Sequence, residues 1–125
     1  MKDQELNKLV EKIRSGFKNA KHLLKPHWKT KNIESGIDST GFCYIASEVL
    51  FHMLGGLSSG YKPRYYKINE QETHWWLYND KTGDIIDPTF DQFPFKIDYS
   101  KGKKACFLTG YNKISKKALK FMEML

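Results

Sequence analysis

Residues 39–54 of this chain, STGFCYIASEVLFHML, decide how the rest must be arranged. Ser39 and Thr40 are residue types that cap helix N-termini, and Gly41 tolerates a tight turn. Apolar side chains at Ile45, Val49, Leu50 and Met53 then recur with helical spacing. A helix is therefore predicted to begin just before Cys43. A sulfur in that first turn faces unpaired backbone N–H groups and the positive end of the helix dipole, both of which stabilise negative charge. Cys43 is thus a candidate nucleophile.

Upstream, Leu6, Leu9, Val10, Ile13, Phe17, Ala20, Leu23 and Leu24 recur at intervals of three and four, which predicts one amphipathic helix from Asp3 to Lys25, ended by Pro26. Its other face carries Lys8, Lys12, Lys18 and Lys21, a solvated surface. Residues 27–38 then read as a loop holding Trp28 and Asn32. Downstream, Gly55 and Gly56 stop the helix. Segments 64–68 (RYYKI), 73–78 (THWWLY) and 84–87 (DIID) have the composition of strands, separated by the polar turns NEQE and NDKTG. An antiparallel meander follows from these short connections. Pro88 ends it, and TFDQFPF continues as an aromatic loop. Residues 99–104 read as a lysine- and glycine-rich loop, 105–108 as an edge strand or turn, and 115–125 as a closing helix with Ala118, Leu119, Met122 and Leu125 on its apolar side.

The 125 residues suit one domain, 1–125, of α+β class. Hydrophobic residues at 40% exclude a disordered chain, and the net charge of +7 comes almost wholly from lysine. Such a balance suits a solvated surface, an acidic substrate or a nucleic acid. No stretch approaches the roughly 20 apolar residues of a membrane span, and the N-terminus lacks a secretory core, so a cytoplasmic location without a membrane partner is expected. Cys43 and Cys106 are not spaced as a metal pair, and no CxxC or HxxxH unit occurs. No metal or organic cofactor is expected.

A cysteine nucleophile needs a base and, behind it, an orienting group. His52 follows Cys43 by nine positions on the same predicted helix, which at about 100° per residue places it on the opposite side and roughly 13 Å along the axis. It cannot serve the sulfur. His22 and His27 fall near the end of the lysine-rich helix. His74 stands on a strand where it shares one face with Trp76 and Tyr78, while Trp75 and Leu77 share the other. If Tyr78 opposes Gly83, then His74 opposes Asp87 on the same face; a bulge at Gly83 would shift that register. Asp87 would then fix the imidazole tautomer and leave the other ring nitrogen for Cys43.

These residues also carry a family resemblance. GFC with an alanine three residues after the cysteine, then HWW, then GDIIDPT, resembles the core signature of the transglutaminase-like superfamily over residues 40–89. That resemblance implies a papain-like core: a catalytic helix packed on a small antiparallel sheet, flanked here by N- and C-terminal helices, with Cys43, His74 and Asp87 in triad order. Residues 43–48, 74–75 and 85–93 are similar to a pattern in small bacteriophage and bacterial proteins, C-Y-x-A-S-E, H-W and I-I-D-P-T-x-D-Q-F. A phage-encoded chain would act in the host cytoplasm.

The function expected is a cysteine-dependent hydrolase or acyltransferase acting on a peptide or other amide, an acidic one included, through a thioester. The Cys43 backbone N–H is the natural first oxyanion donor. Trp28, Asn32 and Ser39 are candidates for the second, and Trp76, Asp91 and Gln92 for shaping the substrate site. Two rivals stand beside this reading. One is a basic nucleic-acid-binding module using Lys101, Lys103, Lys104, Lys113, Lys116, Lys117 and Lys120. The other is an inactive papain-like fold that binds a host or partner protein. The oligomeric state is silent in the sequence.

Overall fold

A computed structural model describes residues 3–125. The class is α+β. Helix α1 runs Asp3–Gly16, α2 Pro26–Ser35, α3 Cys43–Met53 and α4 Lys116–Glu123; strand β1 runs Tyr61–Lys67, β2 Thr73–Asn79, β3 Ile85–Ile86 and β4 Lys103–Lys104. The strands form one antiparallel sheet in the order β3-β2-β1-β4.

The expected long first helix is broken in two. After α1 the chain makes 3-10 turns at Phe17–Asn19 and Lys21–Leu23, whose three-residue repeat keeps Phe17, Ala20 and Leu23 pointing inward. The apolar spacing read as continuous helix is thus satisfied by tighter turns. Pro26 does not end a helix but starts one. Lys25 before it is extended, φ −61 and ψ 152, as a residue preceding proline prefers, and the proline ring sits in the first turn where no N–H is needed. Trp28 and Asn32 accordingly stand on α2 rather than in a loop.

Helix α3 is the centre of the molecule, and its residues Cys43 and Ile45 through Phe51 are buried. A helix apolar nearly all round is one covered on every side. Phe17, Phe42 and Phe121 stack against one another at the meeting of α1, α3 and α4, the first two with ring centroids 4.7 Å apart. Leu77 of β2 joins this core together with Phe51 and Phe107. Ser39 and Thr40 do not cap α3: its N-cap is Phe42, without a side-chain bond. The Ser39 hydroxyl bonds to Asp91 and the Thr40 hydroxyl to that of Ser35. Glu48, fully buried, accepts from the Ser115 backbone N–H at 2.6 Å and its hydroxyl at 2.8 Å, tying α3 to the start of α4. The Ser115 hydroxyl in turn accepts from Ala118 N.

Strand β2 is central. It pairs with β1 along its whole length, Tyr61 with Asn79 through Lys67 with Thr73. Its other edge meets β3 only at Leu77 and Tyr78, opposite Ile86 and Ile85. Tyr78 therefore opposes Ile85 rather than Gly83, because Gly83, at φ 78, belongs to the turn that closes between Asn79 and Asp84. The slip is of two residues, an even number, so every side chain keeps its face. Strand β4 lies one step earlier than the expected edge strand and pairs with Arg64 and Tyr65.

The two faces of β2 are covered differently. Trp75 and Leu77 face α3, with Trp75 edge-on to Tyr44 at 4.8 Å. His74 and Trp76 face residues 88–102: Phe93 packs on the imidazole at 5.3 Å, and Tyr99 packs on Trp76 at 5.1 Å. Gly102 abuts the Trp76 ring so closely that a Cβ would collide with it. Among the described residues no helix is long and apolar enough to cross a membrane.

Candidate functional site

The N-terminus of α3 points at the end of β2 that β3 leaves unpaired. There the Cys43 thiol, 6% exposed, donates to the carbonyl oxygen of Thr73 at 3.5 Å. Thr73 is the residue before His74, so the sulfur sits against the start of the histidine's strand. His74 is 0% exposed, and its Nε2 lies 2.6 Å from Oδ2 of Asp87, whose side chain is 3% exposed. With β3 slipped by two, Asp87 follows the strand opposite Trp76 and reaches the imidazole diagonally. Nδ1 of His74 is buried without a partner of ordinary hydrogen-bond geometry. It is the ring nitrogen left for the sulfur.

Electrostatics follow from this placement. Burial alone pushes the imidazole toward its neutral form, but the bond to Asp87 and the charge of that carboxylate, with Cys43 close by, outweigh it. The pKa of His74 rises from 6.5 to about 9. Asp87 is itself held from three directions. Tyr99 Oη donates to the same Oδ2 at 2.7 Å, and the Thr89 N–H and hydroxyl donate to Oδ1 at 3.1 and 3.3 Å. Burial first, then the negative charge of Asp87 and the bond to it, push the Tyr99 phenol well up, so it remains a donor. Sequence reasoning missed Tyr99, which lies in a segment read only as a loop. The D-P-T turn supplies Thr89, and its fixed geometry was the one available signal that Asp87 would be held rigidly.

A second cluster anchors the segment that covers His74. Arg14 of α1 donates to the carbonyl of Pro88 at 2.8 Å and forks onto both oxygens of Asp91 at 3.1 and 3.0 Å. Asp91 also accepts from Ser39 at 2.6 Å. Burial opposes the Asp91 charge, but bonds from Arg14 and Ser39 and the guanidinium charge prevail and hold its carboxyl below the usual carboxylate range. Three distant segments thereby meet: α1, the turn before α3, and the DQF stretch.

Comparisons with family models, curated proteins and solved structures found no match to this chain. The site is therefore read from its geometry.

The remaining candidates sort themselves by what their polar atoms already do. Ser39 and Asp91 are spent on each other, and a carboxylate offers no donor to an oxyanion. Asn32, fully buried, donates to the carbonyls of Asp38 and Thr40 at 3.0 and 2.8 Å, which fixes the turn leading into Cys43. Gln92 is 5% exposed with neither amide atom partnered. Trp76 is sealed beneath Tyr99 and Gly102 and does not border the cleft; its neighbour Trp75, on the other face, does. Trp28 also lines that cleft, packed beside Gly41.

The cleft itself encloses about 700 Å³ and has Cys43 in its lining, with Trp28, Tyr44, Trp75 and Leu108 forming much of the rest. His74 is not part of that lining. Cys43 consequently borders an apolar cleft and also bonds to the residue before the buried imidazole. Among the described residues no cluster of three or more His, Cys, Asp or Glu side chains is arranged to hold a metal.

Proposed function

We propose that this chain is a cysteine-dependent hydrolase or acyltransferase of papain-like, transglutaminase-like arrangement, acting on a peptide or other amide. The observation that carries the reading is the buried His74–Asp87 pair with its Nδ1 unpartnered, close enough to Cys43 for that residue to bear on the imidazole, while Cys43 itself lines the cleft. In this scheme the Cys43 proton passes from its bond at Thr73 to Nδ1 of His74 before substrate arrives, and the raised pKa of the ring holds it there while Asp87 binds Nε2 and stabilises the imidazolium. The sulfur attacks the acyl carbon, and the carbonyl π pair moves to oxygen. The Cys43 backbone N–H, unpaired in the first turn, stabilises that oxyanion, and Trp28 is the remaining second-donor candidate that borders the cleft. Collapse expels the amine, which takes the proton from Nδ1, and leaves a thioester on Cys43. Water or an amine then attacks the thioester and gives its proton to Nδ1, and the sulfur departs as thiolate, which releases the acyl group and restores the starting pair.

The direct test is intact-mass spectrometry after incubation with a p-nitrophenyl ester of an N-acylated phenylalanine. The expected result is one acyl adduct that maps to Cys43 and is absent from Cys43→Ala. An adduct on Cys106 alone, or none while the ester remains in excess, would overturn the reading.

A further inference from the structure

The walls of the cleft differ in chemistry from its mouth. Trp28, Tyr44 and Trp75 present rings, and Leu108, on the rim, is 94% exposed. A leucine so exposed beside an aromatic-lined cleft is apolar surface without a partner in the chain. Three of the lining residues are cations, Lys25 ahead of α2 and Lys116 and Lys117 in the first turn of α4, and all three are exposed. Among the described residues none of them has a carboxylate within ion-pair distance, whereas Lys21, Lys31, Lys62 and Lys67 each do.

Among the described residues no Asp or Glu lines the cleft. Two acids beside lining residues are already committed: Glu72, next to Gln71, pairs with Lys31 at 3.6 Å, and Glu48, buried, accepts hydrogen bonds from the N–H and hydroxyl of Ser115. Lysines at the opening thus face solvent with their charge uncompensated. Their positions, on two separate elements around an apolar floor, match a ligand with one large apolar group between negative ones.

From this we infer that the cleft takes an acidic peptide, with a large apolar side chain seated against Trp28, Tyr44 and Trp75 and carboxylates held at Lys25, Lys116 and Lys117. This rests on the proposed acyl-transfer site for its position, since Cys43 lies in the same lining, but not for its evidence.

Binding separates the two. Cys43→Ala, which cannot react, is titrated by fluorescence anisotropy with two labelled peptides, each with one central phenylalanine flanked by aspartates or by lysines. The aspartate peptide should bind about tenfold more tightly, the scale of three partly exposed ion pairs, and its advantage should shrink as salt rises. The double variant Lys116→Glu/Lys117→Glu in the same background should remove or reverse the preference. Acids in a first helical turn favour the helix dipole, so α4 should be retained, and circular dichroism checks this. Equal affinities, no binding of either peptide, or a preference unchanged by the charge reversal would overturn the inference. If the aspartate peptide binds as expected while wild type forms no acyl adduct, the cleft's selectivity stands and the catalytic reading falls.

Discussion

The two faces of β2 are built from adjacent residues yet have opposite characters. Trp75 borders an open cleft beside α3, whereas His74 and Trp76, one residue away on either side, are sealed beneath residues 88–102. What this teaches is a division of labour enforced by the period-two geometry of a strand. One face can meet a ligand while the other holds a polar pair out of water, and Cys43, which lines the cleft, bonds to Thr73 at the start of this strand. A hydrogen bond between imidazole and carboxylate is electrostatically stronger in such a dry layer than at a surface.

Substitution of the two adjacent tryptophans should break the comparison most strongly. Trp76→Ala should cost roughly 4 kcal/mol, the scale of deleting a fully buried large aromatic, and should also expose His74 by loosening Tyr99 and Gly102. Trp75→Ala, on the half-open face, should cost clearly less in urea unfolding while weakening ligand binding. Equal losses would mean that the faces are not distinct. Asp87→Asn comes next. Removing the charge behind a buried imidazole should cost roughly 3 kcal/mol and move the His74 midpoint down from about 9, read from its ring-proton shifts by NMR.

The same pair has a signed pH dependence. The folded chain holds the His74 proton more tightly than the unfolded one, so this stabilisation is complete below pH 6.5 and disappears as pH rises through about 9. Unfolding free energy should therefore fall between those values in wild type and fall much less in Asp87→Asn. A flat wild-type profile would contradict the raised pKa. The smallest effect should come from Tyr99→Phe, about 1 kcal/mol, the scale of one hydrogen bond. Relieved of a competing donor at Oδ2, Asp87 becomes the better acceptor for Nε2, so the His74 midpoint should move up slightly rather than down.

Much of this division was legible before any coordinates. The alternation of His74, Trp75, Trp76 and Leu77 gives the faces, and the helical spacing after Cys43 gives α3. The even slip in the β2–β3 pairing left the face of Asp87 unchanged, which is why a register wrong by two residues still pointed at His74. What stayed hidden depends on contacts distant in the chain. Pro26 reads equally as a stop or a first-turn residue until the core pulls Phe17, Ala20 and Leu23 inward through 3-10 turns. Ser39 looks like a cap, but Asp91, 52 positions later, takes its hydroxyl. Residues 88–102 have no periodicity from which to foresee that they cover a sheet face, so Tyr99 could not be assigned to Asp87. The same blindness put forward Trp76 and not Trp75, although Trp75 is the one that lines the cleft.

The central claim is that a buried histidine activates a sulfur facing the cleft, and thiol alkylation rates test it most directly. Cys106 is exposed and Cys43 buried, so accessibility alone favours Cys106. Iodoacetamide at neutral pH should nevertheless modify Cys43 faster than Cys106, as read by peptide mass spectrometry, and His74→Ala should reverse the order. If Cys106 reacts first in wild type, and its lead is unchanged by His74→Ala, the imidazole does not act on the sulfur.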